Sequence, residues 1–132
     1  MRQNGLVQKA AVLIAVGVDE TGKRTVLGVS VALSEHEVYR QTFLQSLVAR
    51  GLCGVRLVIS DAHEGLKAAR LAVFGGIPWQ RCQFHLQRNA SAYVPKQDMK
   101  PQVAADIRAI FNAQDKAEAD ALWHDISASE TA

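Results

Sequence analysis

A chain of 132 residues is long enough for one domain with a single hydrophobic core. With 48% hydrophobic residues, 21% charged residues and only three prolines, its composition is typical of a folded globular protein and excludes an intrinsically disordered one. The formal net charge of +2 conceals a positive segment, residues 62–100, with six Lys or Arg against two Asp or Glu. Such a surplus is typical of a solvated face and is compatible with nucleic-acid binding without establishing it.

The sequence predicts a cytoplasmic protein. Its most apolar stretch, residues 10–18, is too short to cross a bilayer, and no signal-peptide pattern precedes it. Two cysteines, Cys53 and Cys82, allow at most one disulfide bond. Because disulfides are rare in the cytoplasm, we expect both thiols to be reduced.

A β-hairpin is predicted near the start of the chain. Residues 10–18 and 25–32 are two runs rich in Val, Leu and Ile. The connector between them, residues 19–24, is polar and contains Gly22, as is common in loops that join antiparallel strands.

A helix over about residues 35–50 should follow the hairpin. Ser34 and Glu37 have the spacing of a capping box at its start. Gly51 directly follows the apolar-periodic stretch, which is where a glycine commonly ends a helix.

The next segment predicts a strand, a helix and a second short strand. Residues 55–60 form a β-branched run that suits a buried strand ending at Asp61. Residues 62–73 then have a helical pattern. Residues 77–82 suit a short strand. Because proline is confined to edge strands or to the start of a strand, Pro78 must lie at one of these positions.

The remainder of the chain is predicted to be helical, beginning with a helix over about residues 84–93. Pro101 suits the first turn of another helix, and residues 115–118 resemble a capping motif that opens a last one. The apolar face of the Pro101 helix consists of Val103, Ile107, Ile110 and Phe111. This order of elements indicates an α/β domain with a mixed sheet.

Asp61 is the first candidate for chemistry. It lies where a strand is expected to end and a helix to begin, which is the edge at which open α/β sheets present side chains to ligands. A carboxylate there supplies the oxygen ligands that Mg²⁺ prefers. The structural alternative is that Asp61 is a helix N-cap with Glu64 at position N3, and the local pattern alone favours that alternative.

Cys82 and His85 are three residues apart, the spacing of half a zinc site. Only Cys53 and His63 are available to complete four ligands, and neither has a paired spacing of its own. A Cys–His nucleophilic pair would need a third, orienting group that the sequence does not reveal. The pattern by itself favours a small buried thiol and a hydrogen-bonded histidine at a helix start.

Aromatic and basic residues are interleaved between residues 79 and 93, as in proteins that stack on bases and contact phosphates. They are Trp79, Arg81, Phe84, Arg88 and Tyr93. Packing of Trp79 and Phe84 in the core is the more common use of such aromatics, and we expect it here.

Two segments taken together resemble the signature of the Mutator family of bacterial insertion-sequence transposases. They are residues 59–66, with the sequence ISDAHEGL, and residues 79–89, with the sequence WQRCQFHLQRN. Residues 17–29 and the segment at Ser34 are also similar to the family's hairpin and first helix, so the resemblance covers nearly the whole chain. Two linked motifs in the expected order are more specific than either one alone.

The resemblance implies that Asp61 is the second catalytic carboxylate of a DDE triad. Cys82 and His85 match the family's Cys-x-x-His signature. The implied fold is an RNase H-like α/β domain over residues 5–97, with a mixed sheet, followed by the start of a helical insertion over residues 98–132.

A complete family member is expected to cleave and transfer strands of insertion-element DNA, using Mg²⁺ or Mn²⁺ ions held by three carboxylates. On charge and position, Lys67, Arg81 and Arg88 are the candidates for contacts with DNA phosphates. The expected location is the cytoplasm, at the nucleoid and not in a membrane. Other copies of this chain or a full-length transposase are the expected protein partners.

This chain departs from the family pattern at both other carboxylates. The first Asp of the triad would lie at the beginning of the strand that precedes the hairpin, and residues 1–4 are already past that position. Glu130 lies too early to be the final Glu and has no matching motif. We therefore expect a truncated sheet that lacks its central strand, low stability, no tight metal binding and no catalysis. Two alternatives remain open: a non-catalytic inhibitor that binds DNA or pairs with a transposase, and a small zinc-stabilised module built on Cys82 and His85.

Overall fold

A computed structural model describes residues 2–3, 6–7, 9–32 and 37–129 of the chain. The chain divides into two compact units, Met1–Gln80 and Arg81–Ala132. The short strands and five α-helices in these ranges confirm the predicted α/β class. Among the described helices, none is long and apolar enough to span a membrane.

Two very short strands come first. Strands β1 (Arg2–Gln3) and β2 (Leu6–Val7) pair antiparallel with each other. The sequence did not predict them, because a strand of two residues is too short to show an alternating pattern.

The predicted hairpin is confirmed. Strands β3 (Ala11–Val18) and β4 (Arg24–Ala32) pair antiparallel, with a register irregularity between Ala15 and Val16. The extra residue of β4 at this point is typical of a β-bulge, which increases the local twist of a hairpin.

Asp19 holds the connector of the hairpin together. Its Oδ1 atom accepts hydrogen bonds from the backbone N–H of Thr21 at 2.9 Å, from the Thr21 hydroxyl at 2.6 Å and from the backbone N–H of Lys23 at 3.0 Å. These donors, led by the Thr21 hydroxyl, hold the pKa of Asp19 below its ordinary value of 3.8. Gly22 adopts a φ of +82°, a backbone conformation that residues other than glycine rarely adopt.

Helix α1 (Glu37–Ala49) lies within the predicted range. The proposed cap at Ser34 lies outside the described residues. At the other end, Gly51 has a φ of +108°, its N–H donates to the Val48 carbonyl, and the Leu52 N–H donates to the Leu47 carbonyl, each at 3.0 Å. These two bonds form a Schellman motif, and they confirm that Gly51 ends the helix as predicted.

One face of the hairpin packs on α1 and the other is exposed. A Cβ atom added at Gly28 would lie 2.9 Å from Leu47 Cδ2 and 3.3 Å from Phe43 Cε2, so a larger residue there would force the Leu47 side chain to shift. The opposite face is a row of valines and one isoleucine that are 51–62% exposed. Its residues are Val12, Ile14, Val16 and Val18 on β3 with Val26, Val29 and Val31 on β4.

After α1 come β5 (Val58–Ser60), helix α2 (Glu64–Phe74) and β6 (Trp79–Arg81). The prediction that the first of these strands begins at residue 55 was wrong. Its partner, β6, has only three residues, so backbone pairing is limited to a short ladder extended by the Val58 N–H to Pro78 carbonyl bond of 3.0 Å. The described strands therefore form three separate two-stranded sheets, β1–β2, β3–β4 and β5–β6.

The core of the first unit is small. Helix α1 packs against α2 and against β4. The described apolar residues that are buried are Ala32, Leu47, Ala69 and Phe74. Arg40 of α1 is also buried, at 7% exposure.

The second unit is helical, as predicted. It contains α3 (Gln83–Tyr93), a 3₁₀ turn (Gln97–Met99), α4 (Lys100–Phe111) and α5 (Lys116–Ser129). Pro101 lies in the first turn of α4, and the four residues predicted for its apolar face are all half-buried.

The predicted cap of the last helix is also confirmed. Asp115 Oδ1 accepts from the Glu118 N–H at 2.9 Å. The Glu118 carboxylate accepts in return from the Gln114 N–H at 2.7 Å, one residue earlier than in the ideal capping box. The boundary predicted at residue 97 between a catalytic domain and an insertion stays a prediction.

Candidate active site

Asp61 directly follows β5, as predicted, and lies three residues before the start of α2. The residue is half-buried. Its Oδ1 atom accepts a hydrogen bond from the His63 N–H at 3.2 Å, whereas Oδ2 accepts none from a described residue. One carboxylate oxygen is thus held in place by the turn while the other keeps its full capacity to accept a ligand.

The interpretation of Asp61 as a helix N-cap was wrong, because α2 begins later than expected. The N-cap is His63, whose Nδ1 atom accepts from the Gly65 N–H at 3.1 Å. The His63 carbonyl accepts from the N–H groups of Leu66 and Lys67, both at 3.0 Å. Glu64 is therefore the first helical residue and not the N3 residue of a capping box.

Ser60 and Trp79 fix the end of β5 next to Asp61. The Trp79 indole N–H donates to the Ser60 hydroxyl at 2.8 Å, and that hydroxyl donates to the Asp61 carbonyl at 2.8 Å. Trp79, which is 19 positions from Ser60 in the sequence, thus anchors the end of the strand that Asp61 follows.

Two cations flank the Trp79 ring. Lys67 Nζ lies 5.9 Å and Arg70 Cζ 5.5 Å from the ring centroid, within the range of cation–π attraction. Lys67 also donates to Glu64 Oε1 at 2.8 Å. This bond and the lysine charge lower the pKa of Glu64 from its ordinary value. Lys67, a candidate for phosphate contact, therefore already has an acidic partner and an aromatic partner.

A cleft of about 870 Å³ lies beside the strand that leads to Asp61. Successive residues 13–18 of β3 line one wall, and successive residues 52–60 line the other, whereas β4 contributes only Thr25 and Leu27. Side chains alternate between the two faces of a strand, so a cleft against one face is lined by every second residue. A cleft along the edge of a strand is lined by successive residues. Since β3 pairs only with β4 and β5 only with β6, the cleft separates two strand edges that no described strand occupies.

Cys82 and His85, the other two signature residues, lie in the second unit. Cys82 is the N-cap of α3 but makes no side-chain capping bond, and it is a free thiol, as is Cys53. Within the described ranges, no group of three or more His, Cys, Asp or Glu side chains is arranged to hold a metal ion. The zinc-stabilised module therefore lacks a complete ligand set among these residues.

The remaining phosphate-contact candidates differ in environment. With its carbonyl oxygen turned towards Arg81, the Asn89 amide accepts from Arg81 Nη2 at 3.0 Å and donates to the His85 carbonyl at 3.3 Å. Arg81 is half-buried in this arrangement. Arg88 is exposed and forms no ion pair with a described residue.

The expectation that Phe84 packs in the core was wrong, because Phe84 is 66% exposed. Tyr93 is 88% exposed. Trp79 is half-buried and hydrogen-bonded, which agrees with a packing role.

Sequence reasoning missed three residues around Asp61: Ser60, His63 and Arg70. Their roles depend on Trp79 and on the helix start, which no local spacing reveals. His63 alone offered a signal, because a histidine two residues before Gly65 has an acceptor atom within reach of the first turn.

Comparison with known proteins gives one consistent result. The family model for the transposases of the Mutator family matches residues 1–132. The transposase for insertion sequence element IS406 from Burkholderia multivorans is 57% identical over 122 residues, which cover 92% of this chain and 31% of that protein.

More distant relatives agree. The ISRM5 transposase of Rhizobium meliloti is 40% identical over 121 residues, covering 92% of this chain and 30% of that protein. The IS1081 transposase of Mycobacterium tuberculosis is 41% identical over 115 residues, covering 87% and 28%. The chain therefore spans less than a third of the length of these relatives.

Proposed function

Because this chain belongs to the Mutator family of transposases, we propose that it forms the part of a transposase catalytic domain in which Asp61 is a catalytic carboxylate. The relatives are transposases of insertion sequence elements, and we propose the DNA of such an element as the substrate here. The reaction would be cleavage and transfer of DNA strands.

The observation that carries this proposal is the state of the Asp61 carboxylate. An aspartate before a helix usually has the structural task of capping it. Here His63 performs that task, so capping does not account for the carboxylate of Asp61. A half-buried carboxylate at the end of a strand, with one oxygen held and the other without a donor among the described residues, is suited to bind a metal ion or a reacting group.

The described residues do not by themselves fit the two-metal site that the family would use. That site needs several clustered carboxylates, and the described ranges contain no such group. Asp61 supplies one ligand position. We therefore propose that the 132-residue chain alone does not cleave DNA.

A plasmid-nicking assay with Mg²⁺ tests the inactivity of the chain alone. We expect no conversion of supercoiled to open-circular DNA above the buffer control, because one carboxylate cannot hold two metal ions. Nicking that co-purifies with the chain and is lost in Asp61→Asn would contradict this expectation.

We also propose that the complete domain is RNase H-like, with a further strand between β3 and β5. Support comes from the cleft, whose two walls are strand edges with unoccupied backbone donors and acceptors. One added strand would satisfy both edges and join two of the small sheets into a larger one.

The role of Asp61 can be tested in a chimaera. Residues of the IS406 transposase that align with this chain would be replaced by the chain, since the two are 57% identical over 122 residues. Excision of a marked element would be measured for the chimaera and for its Asp61→Asn and Asp98→Asn variants. Asp98 is an exposed aspartate outside the site and is the matched control.

We expect Asp61→Asn to reduce excision at least 100-fold, because removal of one group that stabilises the transition state electrostatically typically costs on the order of 10²–10³ in rate. Asp98→Asn should match the parent chimaera. Excision that survives Asp61→Asn would remove Asp61 from the catalytic residues.

A second candidate function is inhibition of an intact transposase by pairing, which the open strand edges favour. In this case the chain would supply or accept a strand across the cleft. Co-expression with the IS406 transposase should then yield a complex and reduce excision. Independent elution of the two proteins with unchanged excision would exclude this function.

A further inference from the structure

Helix α3 exposes an aromatic and a basic side chain on the same face. Phe84, which is 66% exposed, and Arg88, which is exposed, are four residues apart and so lie about 6 Å apart on the helix surface. Tyr93, the last residue of the helix, is nine positions from Phe84 and points to the opposite side of the helix axis. No residue of α3 is buried.

The charged side chains of α3 and of the residues that flank it in the sequence have one sign. Residues 81–97 contain Arg81, Arg88 and Lys96 and no acidic residue. Neither Arg88 nor Lys96 forms an ion pair with a residue in the described part of the chain. The segment thus presents uncompensated positive charge, which complements a polyanion.

We propose that this face is a binding site for single-stranded DNA, in which Phe84 stacks on an unpaired base and Arg88 binds the adjacent phosphate. Every base has a flat face that stacks on an exposed aromatic ring, and the guanidinium supplies the phosphate contact. This inference rests on the proposed function for its ligand, DNA, but not on the catalytic role of Asp61.

Single-stranded DNA fits this face better than a duplex or a protein partner. In a duplex both faces of each internal base are already covered by stacking, so the Phe84 ring meets a base only where the strand is unpaired. A protein partner would favour a contiguous apolar patch, whereas the exposed neighbours Gln83, Arg88 and Asn89 are polar.

The test is fluorescence anisotropy of the 132-residue chain with a labelled 20-nucleotide oligo(dT) and with a 20-base-pair duplex. Phe84→Ala should weaken binding of the single strand by about 5- to 150-fold, the range typical of one lost stacking contact. Tyr93→Ala is the matched control, because it removes another exposed aromatic, from the other side of the same helix. It should leave the affinity within about twofold.

Arg88→Gln tests the phosphate contact. For single strands the slope of log K against log[salt] changes by about 0.7 for each phosphate contact, and we expect Arg88→Gln to flatten the slope by that amount. Far-UV circular dichroism of each variant shows whether helix content is retained, as expected for exposed side chains.

Any of four results would overturn this site: no binding of oligo(dT) by the unmodified chain, equal losses in Phe84→Ala and Tyr93→Ala, duplex binding as tight as single-strand binding, or tighter binding of oligo(U) than of oligo(dT). None of them bears on Asp61, which the excision assay tests separately. A defect in excision with intact binding would conversely leave the α3 site in place.

Discussion

At the scale of single residues, the division of tasks between Asp61 and His63 defines the candidate site. A carboxylate is the better N-cap, yet the imidazole of His63 accepts from the first turn of α2 and the carboxylate of Asp61 does not. Among the described residues, the carboxylate of Asp61 accepts a hydrogen bond only from the His63 N–H. The first turn of α2 is therefore capped by the side chain of His63 and not by that of Asp61.

This division predicts how α2 responds to substitution. His63→Ala should remove the acceptor for the Gly65 N–H, at a cost of about 1 kcal/mol, and so speed exchange of the Gly65 amide hydrogen roughly fivefold. His63→Asn retains a capping acceptor and should restore slow exchange. Asp61→Asn should leave the Gly65 amide unchanged, and faster exchange in that variant would show that Asp61 caps the helix after all.

At the scale of elements, the hairpin connector is stabilised by one ionised side chain. Asp19 accepts three hydrogen bonds from Thr21 and Lys23, and the pKa of Asp19 is lowered as a result. A lowered pKa in the folded state means that the contribution is fully present above the ordinary value of 3.8 and is lost as pH falls through the lowered value.

An NMR titration can follow this loss. The amide resonances of Thr21 and Lys23 should move together as Asp19 is protonated, with a midpoint below pH 3.8. In Asp19→Ala both amides should show no such step. A midpoint at or above 3.8 would mean that the three hydrogen bonds are not maintained in solution.

At the scale of the whole molecule, the described part of the chain has few buried contacts that stabilise its fold. Four buried apolar residues make up the core of the described ranges, and one face of the hairpin exposes seven β-branched side chains. Unpaired strand edges on both sides of the cleft add backbone groups that find partners only in water or in another chain. Burial of apolar surface is the main favourable term in folding, so the isolated chain should be of low stability.

Thermal unfolding checks this expectation. Circular dichroism of the monomeric fraction from size-exclusion chromatography should show a broad, weakly cooperative loss of signal. The chain should also self-associate with rising concentration, because the exposed edges and the apolar face are open to a second copy. A sharp, concentration-independent melting transition of a monomer would contradict the prediction.

Local patterns predicted most of the elements. Two runs rich in Val, Leu and Ile with a polar, Gly-containing connector indicated the hairpin. Gly51 indicated the end of α1, and the pair Asp115 and Glu118 indicated the start of α5. In each case the deciding interaction joins residues within a few positions of each other or follows from a backbone conformation that few residue types adopt. Such interactions can be predicted from a sequence because they depend on the spacing of residue types along the chain.

The sequence by itself also determined the family, through two linked motifs, and placed Asp61 at the end of a strand. Only the tertiary structure decided that His63 caps α2, that Trp79 anchors Ser60 from 19 positions away, and that Phe84 faces solvent. These outcomes depend on where a helix begins and on which side chains meet after folding. The free-energy differences that select them arise from contacts between distant segments, which no local pattern records.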